Sequence, residues 1–215
     1  MKIFSLEGID GSGKTALVTR LSQELSIATT QRKEFLCESE FINKIGSKLK
    51  DVLWNSGDSR DLPDEFWLYL QASWHVLLRN SIYNRFREET SVVVDGWYYK
   101  FLSKLLANGW ESKDIDLQEL YSLVPQPDVT ILLCTSPQIA WGRKIYRPTE
   151  LGLHSPQFSK RKLGQGSFIE YQSRSLDALK SMAKARNWYV IENADDYHID
   201  ELLNIVSTII SKELD

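Results

Sequence analysis

Gly8-Ile9-Asp10-Gly11-Ser12-Gly13-Lys14-Thr15 matches the pattern G-x-x-x-x-G-K-[ST] in full. The glycines allow backbone geometries closed to other residues and let main-chain N–H groups approach phosphate oxygens. A helix beginning at Lys14 points its positive end at the same oxygens. The Lys14 ammonium suits the β- and γ-phosphates, and the Thr15 hydroxyl suits a magnesium ion between them. ATP with Mg2+ is therefore the expected ligand, held by Asp10, Gly11, Ser12, Gly13, Lys14, Thr15 and Ala16. A second candidate is Asp95, which ends the apolar run Ser91–Asp95. At the carboxyl edge of a parallel sheet its carboxylate could hold magnesium or orient the attacking group. The plainer alternative is an aspartate that caps the helix after Gly96.

These side chains need a scaffold, and the hydrophobic pattern supplies one. Lys2–Glu7, Ser91–Asp95, Val129–Cys134 and Trp188–Ile191 are short runs without polar alternation, with a weaker run at Ala28–Arg32. Strands covered on both faces read this way. Helical patterns lie between them, near residues 39–54, 64–88, 98–108, 136–146, 167–186 and 198–212. In the first helix Leu17, Leu21 and Leu25 share one face. Strand and helix in alternation predict a doubly wound α/β fold: five parallel strands with helices on both faces, in a single domain over 1–215.

Residues 146–166 break that rhythm with Pro148, Gly152, Pro156, Gly164 and Gly166. Between Arg143 and Lys162 six basic residues face the single acid Glu150, although the 215-residue chain carries a net charge of -3. Basic clustering of this kind beside a phosphate loop predicts a lid over about 143–166; a solvated flexible loop is the alternative. The overall charge argues against general nucleic-acid binding. Two cysteines, Cys37 and Cys134, are too few for a zinc site or disulfide framework. No apolar run approaches the ~20 residues that span a bilayer. The amino-terminal residues enter the motif at once, so a cytoplasmic location is expected.

Phe4–Thr15 resembles the amino-terminal signature of thymidylate kinases, including Glu7-Gly8 and the acidic third loop residue. Pro127-Asp128-Val129-Thr130-Ile131-Leu132-Leu133 is similar to a further strand of that family. Ser136–Ala140 with Arg143 and Arg147 resembles the helix into its lid, and Ser167–Tyr171 with Arg174 the helix leaving it. The resemblance implies a P-loop NTPase fold and transfer of the ATP γ-phosphoryl group to dTMP. Because position 11 is glycine, it also implies that the catalytic arginine comes from the lid. Arg143, Arg147 and Arg161 are the candidates beside Lys14 and Asp95. It further implies an adenine site near Asn193, acceptor-binding helices over about 39–88, and a homodimer.

The acceptor side departs from the family. Where thymidylate kinases carry Asp-Arg-Tyr or Asp-Arg-Phe, this chain has Asp95-Gly96-Trp97. The segment after the second strand reads Arg32-Lys33-Glu34-Phe35 without a glycine pair, and Gln71-Ala72 stands where Asp-Arg reads the base. Arg32 and Lys100 are candidate replacements for the lost phosphate contacts. Phe66, Tyr69, Leu70, Trp74 and Trp97 are candidate stacking surfaces, although each aromatic could simply pack the core. Three readings follow: a kinase for dTMP or a related nucleotide, a kinase of the same fold for a nucleoside or small aromatic metabolite, and a nucleotide-binding protein without turnover.

Overall fold

The computed structural model describes residues 1–55, 61–110, 117–155 and 162–215. Five parallel strands, β1 (Lys2–Glu7), β2 (Ala28–Gln31), β3 (Ser91–Asp95), β4 (Val129–Leu133) and β5 (Tyr189–Ile191), form one sheet in the order β2-β3-β1-β4-β5. The central strand β1 pairs with β3 on one side and β4 on the other. In that register Leu6 lies opposite Asp95 and Glu7 opposite Leu132. The phosphate loop and Asp95 therefore leave adjacent strand ends at the point where the strand order reverses, the usual ligand crevice of open α/β sheets.

Successive side chains of a strand point to opposite faces, and both faces here are covered. Ile3, Val92, Val94 and Leu132 pack with Trp74, Leu78, Leu102 and Leu179 from α3 (Asp64–Arg85), α4 (Tyr99–Ala107) and α7 (Gln165–Arg186). Phe4, Leu6, Val93 and Ile131 pack instead with Leu17, Leu21, Leu202 and Val206 from α1 (Lys14–Leu25) and α8 (Ile199–Leu214). Double coverage explains why the strand runs lack polar alternation.

Three elements differ from the sequence expectation. Leu25 does not join Leu17 and Leu21 in the core; at the carboxyl end of α1 it is exposed. The helix expected over 136–146 is α6 (Pro137–Trp141), started by the Ser136 cap and ended at Gly142. The chain then doubles back so that Tyr146 stacks on Trp141 and packs on Phe168, a tertiary contact no periodicity announces. A short helix, α5 (Leu117–Ser122), was not expected at all. The helix expected near 39–54 corresponds to α2 (Glu40–Trp54), whose Ser39 side chain accepts from the Ile42 N–H.

Candidate active site

The phosphate loop is wound tightly before α1. Gly11 has φ +80°, and a Cβ there would collide with the Tyr146 hydroxyl and lie 3.0 Å from the Ala140 carbonyl oxygen. Glycine is thus required on both conformational and steric grounds. The Lys14 ammonium lies inside the loop, donating to the Gly8 and Ile9 carbonyls and to Ser12 Oγ at 2.8 to 2.9 Å. Burial pushes Lys14 down to about 7, with Lys100 adding repulsion; Asp95, Asp10 and Glu7 pull the other way. Thr15 Oγ1 donates to Asp95 Oδ2 at 2.6 Å.

Hydroxyl and carboxylate oxygens side by side at the mouth of a phosphate loop suit a hard cation. Among the described residues no three His, Cys, Asp or Glu side chains converge on a metal position. Magnesium takes one or two protein oxygens and completes its shell with substrate phosphates and water.

Asp10 is buried and held by four contacts from three side chains. Lys100 Nζ lies 2.6 Å from Oδ1 and Lys104 Nζ 2.8 Å from Oδ2, while Gln172 both accepts from the Asp10 N–H and donates to Oδ2, each at 3.1 Å. Burial alone would raise the Asp10 carboxyl, but the two ammonium groups hold it well below the usual range. Gln172 also donates to the Glu150 carbonyl at 2.9 Å, tying the loop to the 3-10 turn Pro148–Leu151 at the lid base. Arg143 reaches the loop as well, its Nη1 donating to the Gly11 carbonyl at 3.0 Å. Arg147 is close enough to disfavour the charge of Lys33. Arg161 lies outside the described residues.

On the β2 side, the Arg32 side chain runs over Gly96. A Cβ at position 96 would sit 3.4 Å from Arg32 Cδ. Trp74 Nε1 donates to the Arg32 carbonyl at 2.9 Å and fixes that main chain. Glu7, fully buried under this layer, accepts from Ser5 Oγ at 3.0 Å and from the Trp97 N–H at 2.5 Å through Oε1. Its Oε2 has no partner among the described residues. Burial raises Glu7 from 4.5 to about 7, against the pull of Lys14 and Arg32.

The aromatic candidates do not form one surface. Trp74 and Trp97 are core residues with no exposure, and the Trp97 indole N–H donates to the Pro125 carbonyl. Tyr69 is 55% exposed and lies on the side of α3 opposite the buried Gln71, Trp74, His75 and Leu78. Phe66 is also exposed and Leu70 half-buried. Helix geometry therefore separates Tyr69 from Trp74, although both belong to one aromatic-rich stretch. Lys100, expected to face an acceptor phosphate, is ion-paired with Asp10. Ala16 is exposed in the first turn of α1, and Asn193 occupies a left-handed turn residue (φ 48°) after β5. Two clefts of about 350 and 320 Å³ lie around Trp188 near the α7–β5 turn, away from this chemistry.

Sequence reasoning missed Lys104, Gln172 and Tyr146. Lys104 stands one helical turn after Lys100, a spacing that places both on one face of α4. Nothing local marks Gln172 or Tyr146, whose partners are distant in sequence.

A parallel sheet, a lysine-bearing phosphate loop, an adjoining aspartate and a basic lid base define a P-loop nucleotide kinase, a phosphotransferase. The chain belongs to the thymidylate kinase family, whose family model matches residues 6–202. It is 28% identical over 195 residues to a probable thymidylate kinase of Archaeoglobus fulgidus, covering 90% of this chain and 83% of that one. It is 22% identical to probable thymidylate kinase 1 of Saccharolobus solfataricus, covering 99% and 98%. The fold is similar to that of thymidylate kinase from Candida albicans, with a TM-score of 0.62 at 17% identity, covering 99% of this chain and 92% of that chain.

Proposed function

We propose that this chain transfers the γ-phosphoryl group of ATP, in the presence of Mg2+, to the phosphate of dTMP or a closely related nucleoside monophosphate. The observation that carries the acceptor reading is Arg32 over Gly96. The arginine that thymidylate kinases carry after the aspartate is lost, but the side chain of Arg32, the residue after β2, lies over Gly96, the residue after Asp95. A neutral nucleoside acceptor would give that cation nothing to neutralise. Lys33, Lys100 and Arg147 crowd the same region, which again favours an anion.

Phosphoryl transfer needs positioning and charge neutralisation more than covalent help. Lys14 and the loop N–H groups hold the β- and γ-phosphates. Thr15 and Asp95 would hold the magnesium ion, which when bound neutralises charge on those phosphates. Arg32 orients the acceptor phosphate so that one of its oxygens faces the γ-phosphorus. Arg143 and Arg147 close from the lid, neutralise the equatorial oxygens and exclude water; Arg161 is a third candidate. Asn193 and the turn to Asp196 would lie along the adenine.

A homodimer is part of the same reading. Tyr69, Val76 and Tyr83 are exposed and spaced seven apart along the outer face of α3, an apolar stripe suited to a second copy. No helix among the described residues is long and apolar enough to cross a membrane, and a cytoplasmic nucleotide pool is the natural setting. Arg32→Ala tests the acceptor assignment. It should raise the KM for the monophosphate by roughly ten-fold or more while leaving the KM for ATP nearly unchanged. An unchanged acceptor KM would remove Arg32 from the site.

A further inference from the structure

Lys100 and Lys104 bring two positive charges to the single negative charge of Asp10, at 2.6 and 2.8 Å. Asp10 cannot turn to another partner, because Gln172 holds both its N–H and its Oδ2. Each ammonium has three N–H donors, and among the described residues neither has an acceptor other than Asp10. Lys100 is nearly buried, whereas the Lys104 side chain keeps 25% of its exposure, so the pair opens to solvent from the Lys104 side.

This pair adjoins the proposed acceptor contact. Burial disfavours the Lys100 charge first; Lys104 and Arg32 then repel it, while Asp10 favours it. Burial likewise pushes Lys33 down to about 8, with Arg32, Arg147, Lys100 and Lys104 all contributing repulsion. Five cations thus share one neighbourhood. Arg32 and Lys33 alone match the two negative charges of a phosphomonoester. Asp10 offsets one of the two charges on Lys100 and Lys104, and an anionic group beside the pair would offset the other.

We infer that Lys100 and Lys104, oriented by Asp10, form a second anion subsite beside Arg32, and that the preferred acceptor is a nucleoside monophosphate carrying a second acidic group, phosphate or carboxylate. The inference rests on the nucleotide-acceptor reading above. In it the two lysines determine specificity and Asp10 positions them. The transferred group still leaves ADP and forms its new P–O bond to the acceptor phosphate; the second acid takes no part in the bond changes.

Two pairs of compounds test it on the full chain by ATP consumption: dTMP against thymidine 3',5'-bisphosphate, and UMP against orotidine 5'-monophosphate. In at least one pair the acidic member should have the higher kcat/KM by roughly ten-fold, as expected for charge-assisted hydrogen bonds. The pair that responds identifies the second group as phosphate or carboxylate. Lys104→Met should collapse the ratio and Lys104→Arg should preserve it. If the parent compound equals or exceeds its acidic partner in both pairs, the lysines merely clamp Asp10 and the subsite is overturned, whether or not Lys104→Met folds. A ratio unchanged in a folded, ATP-binding Lys104→Met would overturn it too. Turnover of dTMP without any acidic preference sinks the subsite alone, whereas four inert compounds beside intact ATP binding sink the nucleotide-acceptor reading with it.

Discussion

The Thr15 hydroxyl donates to the Asp95 carboxylate across 2.6 Å, joining the phosphate loop after β1 to the end of β3. Eighty residues separate the pair in sequence, and the parallel register that sets Leu6 opposite Asp95 brings them together. Asp95 therefore faces the phosphate loop instead of serving only as a helix cap. Asp95→Asn keeps an oxygen for Thr15 but removes the charge available to magnesium. It should lower kcat by roughly 10² while changing the thermal midpoint by only a few degrees. A rate within two-fold of the wild type would leave Asp95 a structural residue.

Lys14 supplies a second prediction. Its ammonium is pushed down from 10.5 to about 7 by burial first and by Lys100 second. At pH 8 much of it is neutral, and a bound polyphosphate would favour the charged form. ATP binding at pH 8 should therefore take up roughly one proton, read by calorimetry in buffers of different ionisation enthalpy. Lys14→Arg, permanently charged, should abolish the uptake. Proton release on binding would contradict the assignment.

The shift of Glu7 also governs stability. Glu7 is raised from 4.5 to about 7, so the folded state holds its proton more tightly than the unfolded chain does. The resulting contribution is fully present below pH 4.5 and is lost as pH rises through about 7. Glu7→Gln keeps the oxygen that accepts from Ser5 and Trp97 and removes the titration. It should be more stable than the wild type at pH 8 by on the order of 2 kcal/mol, with the gap closing near pH 4.5. Denaturant melts at the two pH values check this, and equal gaps at both would show that Glu7 does not titrate in this range.

Much of the fold was legible because its determinants are local. Apolar runs at Lys2–Glu7, Ser91–Asp95 and Val129–Leu133 report double-sided burial, and Gly8–Thr15 announces its own chemistry. The acceptor side was harder to read. Composition grouped Tyr69 with Trp74, yet a helix turns them to opposite faces, and the buried indoles of Trp74 and Trp97 bond to main-chain carbonyls. Arg32 over Gly96, Gln172 on Asp10 and Tyr146 above Gly11 are contacts across 64, 162 and about 135 residues, set by tertiary packing and invisible to spacing rules. Lys104 was within reach, since its four-residue offset from Lys100 puts both on one face of α4.

The central claim is that a phosphorylated acceptor, held beside Arg32, receives the γ-phosphoryl group. The most direct measurement incubates the chain with γ-labelled ATP, Mg2+ and either dTMP or thymidine, and follows the label. Label transferred to dTMP to give the diphosphate, with thymidine inert and Lys14→Ala inactive, is the predicted result. Label appearing on thymidine while dTMP stays unlabelled would contradict it.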